Sequence, residues 1–258
     1  MESRTVTSDF GPAVHVDLHG DLPSVIVVCE HASNRVPAHL DGLGLDDATL
    51  TRHIAWDPGA LPVARKLSEQ TGAVFVHGGI SRLVYDCNRP PEAPDAIPSR
   101  SEVFEIPGNI DLSDAARGAR VDHVYRPFST TLTEQIDRHR AHLRRMVTIH
   151  SFTPFYRGQT RAVQIGILHG SDDRLALAMM QCIPPDLGMN VQLNEPYAAS
   201  DGVAHTLDVQ AASVGLPNVM IEIRNDLIET DAQQAAIADV LAGWVANAET
   251  LMTERSPA

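Results

Sequence analysis

The sequence predicts an α/β fold in which a sheet is covered by helices on both sides. Apolar runs of strand length recur along the chain and are nearly continuous in Val, Ile and Leu, as strands buried on both faces require. Segments of helical periodicity lie between them, and this alternation builds a layered sheet. A third feature bears on function. Several runs end directly in ionisable residues, beginning with "CEHASNRVP", residues 29–37, which stops the run "SVIVV".

In chain order, strands are expected at Val25–Cys29, Ala73–His77, Leu83–Cys87, Met146–His150, Ala162–Leu168, Val191–Leu193 and Val219–Ile223. "DPGALPVARKLSEQTG" reads as a helix that starts with Asp57, has Pro58 in its first turn and closes on Gly72. Residues 113–145 carry a long charged helical pattern whose basic end suits a helix C-terminus. "SDDRLALAMMQCI" and "TDAQQAAIADVLAGWVANAETLM" repeat apolar residues at helical spacing, the second behind a Thr-Asp cap. Residues 88–114 are rich in Pro and polar residues and cannot form a regular element. The 258 residues are read as one domain, 1–258, with a long irregular insertion at about 88–114.

Composition excludes several classes of function. The formal net charge is −13 and the pI is near 5.3. Nucleic acid and anionic membrane both select a basic footprint, so neither is an expected partner. No apolar run is long enough to span a bilayer, and the first residues lack the basic-then-apolar pattern of a signal peptide. Cys29, Cys87 and Cys182 are far apart and odd in number, which argues for reduced thiols rather than a disulfide framework or a zinc knuckle. A soluble, cytoplasmic protein is expected, and a homo-oligomer is compatible with it.

In open α/β sheets the site collects at the carboxyl ends of strands. Those ends carry Glu30 and His31, then Asp86, Asn88 and Arg89 in "DCNRP", then His150 and Ser151 in "HSFTP", then Glu222, Arg224 and Asp226 in "IEIRNDL". A polar residue at one strand end is ordinarily a turn former or cap. Four such ends supplying two imidazoles, carboxylates and arginines fit metal-assisted hydrolysis. A catalytic zinc takes three protein ligands and keeps a position for water, whose pKa it lowers. A further carboxylate moves the proton, and an arginine can grip a substrate carboxylate at two points. His31 and His150 are the candidate ligands, Glu222 the candidate base and Arg89 the candidate clamp.

The ordered set "HASNRVP", "HIAWDPGA", "SRLVYDCNRP", "HSFTP" and "NVMIEIRNDLI" resembles the N-formylglutamate amidohydrolase family from about residue 22 to 245. That family is similar to the zinc carboxypeptidases and to the succinylglutamate desuccinylase and aspartoacylase group. The resemblance implies a three-layer α/β/α sandwich with a mixed, largely parallel sheet, and one zinc ion serving hydrolysis of an N-acyl amino acid. N-formylglutamate would give glutamate and formate, a step of histidine degradation. It implies zinc on His31 and His150, with Ser151 beside the latter, a substrate carboxylate on Asn88 and Arg89, and Glu222 as general base. One position departs: carboxypeptidase-type relatives have a Glu three residues after the first His, where this chain has Asn34. The third ligand is assigned to Asp57, in "HIAWDPGA", with Glu30 in reserve, since adjacent strand residues point to opposite faces.

Arg82 is a second candidate clamp, and Arg224, Asn194 and Tyr197 are further candidate substrate contacts. The bland readings stand beside these: an ion pair between Glu222 and Arg224, and helix capping for Asp57. His139 and His142 read as a solvated helix face, and His15 and His19 carry no signal. No nucleophile elbow surrounds Ser151, and no phosphate-binding loop is present. Two alternatives stay open: hydrolysis of another acyl amino acid or short peptide, and a metal-free binding protein of the same fold, which Asn34 would favour.

Overall fold

The computed structural model describes residues 10–156 and 158–254. Seven strands form one sheet: β1 (Val14–Leu18), β2 (Val25–Cys29), β3 (Val74–Gly78), β4 (Arg145–Phe152), β5 (Ile165–Leu168), β6 (Val191–Leu193) and β7 (Asn218–Arg224). Their order is β1-β3-β2-β4-β7-β5-β6. The β3/β2, β2/β4, β4/β7 and β5/β6 pairs are parallel, whereas β1/β3 and β7/β5 are antiparallel. The mixed, largely parallel sheet is the one expected, with the antiparallel edge strand β1 added to it.

Strand alternation builds two cores. Val25, Val27, Val147, Ile149, Val219 and Ile221 face one side. There they pack on α1 (Ala60–Thr71), on the later helix Arg174–Gln181 and on the C-terminal helix Asp231–Glu254. Ile26, Val28, Val74, Val76, Met146 and Met220 face the other side, against the π-helical turn Val121–Tyr125 and α3 (Arg126–His139), which α2 (Asp114–Arg120) leads into. In chain order the later helices are α4 (Arg174–Gln181) and α5 (Asp231–Glu254). Trp244 on α5 is fully buried and donates its indole N–H to the Met179 carbonyl on α4 at 2.8 Å, joining the two helices. The chain is thus a three-layer α/β/α sandwich.

Three sequence expectations change. Leu83–Cys87 is not a strand but part of a buried run of turns. The Ser81 hydroxyl there donates to the Ala55 carbonyl, and the Asp86 carboxylate takes the Asn88 N–H, a side-chain turn that diverts the backbone from a sheet ladder. Val14–Leu18 is a strand that its polar, half-exposed face concealed. The helix after Asp57 begins only at Ala60, with left-handed Gly59 at its N-cap. The segment 88–114 is irregular but anchored. It holds two 3-10 turns and a short ribbon pairing Arg100–Ser101 with Phe104–Glu105, and buried Asn109 donates to the Leu83 and Pro98 carbonyls.

Gly59 has a φ of +80°, and a Cβ there would collide with the Ile228 carbonyl. Only glycine adopts this backbone without strain, and it sets the direction in which the chain leaves Asp57. Gly59→Ala should therefore destabilise the protein by more than about 1 kcal/mol in urea denaturation. An unchanged midpoint would show that the bend tolerates a side chain.

Candidate metal centre

Three elements meet at the carboxyl edge of the sheet. The chain leaves β2 through Glu30 and His31. The bend before α1 is tied to that exit by the Asp57 N–H, which donates to the His31 carbonyl at 3.0 Å. On β4 the alternation that sends Val147 and Ile149 into one core sends His150 to the opposite face. Glu222 on β7 stands directly across from His150 in the parallel register, so both emerge on that face.

Asp57 does not cap α1, whose N-cap Gly59 has no side chain. Its Oδ2 instead lies 3.3 Å from His31 Nδ1 and 2.9 Å from His150 Nδ1, while the two imidazole nitrogens are 3.2 Å apart. The Ser151 N–H also points at this oxygen, at 3.3 Å. Donors around a tetrahedral zinc, each about 2.0–2.1 Å from the ion, stand about 3.3–3.4 Å from one another. The triad is the one group among the described residues whose donor atoms converge in this way, and its spacing fits a metal ion.

The far nitrogens complete the case. His31 Nε2–H donates to Asp86 Oδ1 at 2.7 Å. His150 Nε2 lies 3.1 Å from Glu30 Oε2, in ion-pair contact though off the line of a hydrogen bond. A carboxylate behind each imidazole favours a proton on Nε2, which would leave Nδ1 for an ion, the arrangement that orients metal-binding histidines. Glu30, held in reserve as a ligand, stands behind His150 in this structure. Asn34 is turned away and donates to the Leu50 carbonyl at 2.9 Å.

Charge balance points the same way. Burial opposes ionisation of Asp57, Asp86 and Glu30, but the imidazoles, and Arg82 beside Asp86, hold all three below the usual carboxylate range. Arg82 is the one arginine bonded among them, reaching Asp86 Oδ2 at 3.0 Å and Asp57 Oδ1 at 3.4 Å. Three carboxylates against one guanidinium leave two negative charges. Without a metal, the same carboxylates raise His31 and His150 above the ordinary imidazole range against the effect of burial, so imidazolium protons offset that charge, and a divalent cation would take their place. Glu222 differs from these carboxylates: burial pushes it up to about 7, and its Oε2 has no hydrogen-bond partner among the described residues.

The triad opens into a cavity of about 740 Å³ whose lining includes Arg82, Asn88, Arg89, Ser151, Tyr197 and Glu222. Several of these residues are already engaged. Ser151 Oγ donates to the Pro58 carbonyl. Asn88 donates to the Val203 carbonyl and accepts from the Thr206 N–H. Arg89 donates to Asp95 and to the carbonyls of Asn88, Asp201 and Gly202. The pair therefore ties the 201–206 segment to "DCNRP", and in this conformation Arg89 has no free two-point edge for a carboxylate. Two other candidates stand outside the cavity lining. Arg224 pairs with Asp226, not with Glu222, and Asn194 donates to His169 Nε2. His139 is half-buried and His142 exposed, in keeping with a solvated face.

Sequence reasoning noted Asp86 without giving it a role, and missed Arg161, which also lines the cavity. Arg161 follows the ribbon Phe155–Tyr156/Gln159–Thr160 and not a strand end. "FYRGQTR" places two aromatics and two arginines just after the His-Ser pair, but nothing in that stretch singles out Arg161.

Residues 23–229 match the N-formylglutamate amidohydrolase family. No curated protein matches the chain. Among solved structures, a gene product of Agrobacterium tumefaciens superposes with a TM-score of 0.89 at 48% identity, over 94% of this chain and 97% of that one. An N-formylglutamate amidohydrolase from Ralstonia eutropha superposes with a TM-score of 0.55 at 15% identity, over 95% of this chain and 99% of that one. The second likeness bears on the fold alone.

Removing His31 or His150 by substitution with Ala should abolish zinc retention, measured as metal content after dialysis. A histidine of purely structural value would cost melting temperature and leave the metal in place. Asp86→Asn and Glu30→Gln keep all three donors and should weaken zinc affinity about 10–100-fold in chelator competition. Affinity equal to the parent's in both would remove the two carboxylates from the centre.

Proposed function

The chain belongs to the N-formylglutamate amidohydrolase family, and from that premise we propose that it is a zinc-dependent hydrolase of an N-acyl amino acid, with N-formylglutamate as the leading substrate. The observation that carries the reading is the convergence of His31, Asp57 and His150 beside a buried carboxyl, Glu222, that is directed at the same space and not bonded to protein at Oε2. His31, Asp57 and His150 would hold the ion. When bound, the ion supplies polarisation of the amide carbonyl and lowers the pKa of a water toward neutrality.

The remaining work falls to the chain's own groups. Glu222 takes the proton of the attacking water and passes it to the leaving nitrogen. A carboxyl pushed up to about 7 by burial suits both halves of that transfer near neutral pH, since a general acid–base works best with its pKa near the operating pH. Arg82, fixed by Asp57 and Asp86, brings positive charge to the place where the carbonyl oxygen becomes an oxyanion. Asp86 and Glu30 hold the imidazoles in one tautomer. Asn88 and Arg89 act by holding the 201–206 wall of the cavity.

A second reading, a hydrolase of larger acyl amino acids, draws support from the cavity of about 740 Å³, which is ample for an acyl group beyond formyl. A panel of formyl, acetyl and succinyl amino acids separates the two by rate. We expect release of formate from N-formylglutamate to be the fastest reaction of the zinc-loaded protein. A metal-free binding protein would carry no zinc and hydrolyse none of the panel.

Glu222→Gln keeps the shape of the side chain and removes its basicity. We expect zinc content and melting temperature near the parent's, and turnover lower by about a hundredfold to ten-thousandfold, the usual contribution of general acid–base catalysis. Unchanged turnover would place the base elsewhere.

A further inference from the structure

We infer that Arg161 is the specificity-determining residue that takes the side-chain carboxylate of the substrate, an inference that rests on the hydrolase reading above. Four arginines line the cavity. Arg82 is spent on Asp57 and Asp86, and Arg89 on Asp95 and three carbonyls. Arg100 is exposed and donates to the Glu102 carbonyl. Arg161 alone combines partial burial with the lack of any ion pair among the described residues. Its recorded acceptors are the Tyr197 hydroxyl at 3.1 Å and, marginally, the Thr153 carbonyl at 3.5 Å, both from Nη1. Nε and Nη2 have no acceptor among the described residues.

The surroundings of Arg161 fix its plane without neutralising it. Its guanidinium carbon lies 4.5 Å from the ring centre of Tyr156, 4.9 Å from Tyr197 and 5.4 Å from Phe152. Ring faces attract a cation and leave its N–H edge free for a planar anion. The backbone is held as firmly. The Arg161 N–H donates to the Pro154 carbonyl at 2.8 Å, and its carbonyl accepts from Arg224 Nη1 at 3.0 Å. Arg224 is in turn fixed by Asp226 through Nε at 2.8 Å and Nη2 at 3.1 Å. This gives Arg224, which the sequence offered as a substrate contact, a positioning role.

Location selects which carboxylate is read. An amide nitrogen on Cα lies next to the α-carboxylate, which therefore sits close to the triad and Arg82. Arg161 bonds to none of the triad residues. It lines the same cavity and bonds to Tyr197, whose hydroxyl is within electrostatic range of Glu222 and Arg82, so we place it where the end of an extended acidic side chain would lie. The ligand class is an N-acyl amino acid with a carboxylate at the end of its side chain.

The test compares N-formyl-L-glutamate with N-formyl-L-glutamine, its neutral isostere, on the zinc-loaded parent and on Arg161→Met and Arg161→Lys. The parent should prefer the glutamate substrate at least about tenfold in kcat/KM, as a site built around a charged group rejects the analogue lacking it. Arg161→Met keeps a stem against the rings and should bring that ratio toward one. Arg161→Lys should recover part of it, since an ammonium keeps the charge but not the two-point geometry. Zinc content and melting temperature are read in parallel. A ratio that persists in Arg161→Met, or a parent that does not discriminate, overturns the inference. If the parent hydrolyses neither compound, the hydrolase reading fails, and calorimetric binding of the same two compounds to parent and Arg161→Met decides the role of Arg161. A glutamate preference lost in the variant supports it, and equal binding of both compounds by the parent overturns it.

Discussion

Asp57 Oδ2 is the atom at which the architecture of the site comes together. Two imidazoles from two strand exits and the Ser151 N–H all point at this one oxygen. Each approach has a separate cause. The parallel β2/β4 pairing brings the His31 and His150 exits side by side, and strand alternation turns His150 out of the hydrophobic layer. The left-handed Gly59 ends the bend so that Asp57 is not drawn into capping α1. A carboxylate that caps a helix spends its oxygens on backbone N–H groups. Here they stay available to the centre.

The second constraint is electrostatic. Buried ion clusters seldom stabilise a fold, because desolvation consumes most of the attraction between the partners. Asp57, Asp86, Glu30, His31 and His150 form such a cluster, bordered by the half-buried Arg82, and its excess of negative charge is one that imidazolium protons or a divalent cation would offset. Hydrophobic residues of similar volume would serve the fold as well. The arrangement makes sense as a receptor for a divalent cation, and the same reasoning explains why Glu222 stands apart. It is buried without a matching cation of its own, so it takes up a proton more readily than its neighbours.

Much of this was legible because the chemistry sits where sheet topology puts it. His31, His150 and Glu222 directly follow or end buried-strand runs, and those runs are unambiguous in Val and Ile. Asp57 required weighing a metal role against a cap, and the extra glycine after Pro58 is the local feature that separates them. The "LVYDC" run misled, since five residues with an apolar majority read as a strand whether they pair in a sheet or turn through a core. Arg224 shares strand parity with Glu222, yet Asp226, two residues on, captures it first. Arg161 was invisible for a different reason. Its site is made of rings from two distant segments, 152–156 and 197, and no spacing within one segment encodes that. Arg89 shows the converse: a motif residue lines the cavity while its donors serve the cavity wall.

X-ray absorption at the zinc edge of the loaded protein reports whether one metal ion is held by two imidazoles and one carboxylate. Nitrogen and oxygen donors at about 2.0–2.1 Å are expected, with outer-shell scattering from two imidazole rings and no sulfur. Stoichiometric zinc with one imidazole or none, or with a zinc–sulfur distance near about 2.3 Å, would contradict that ligand set.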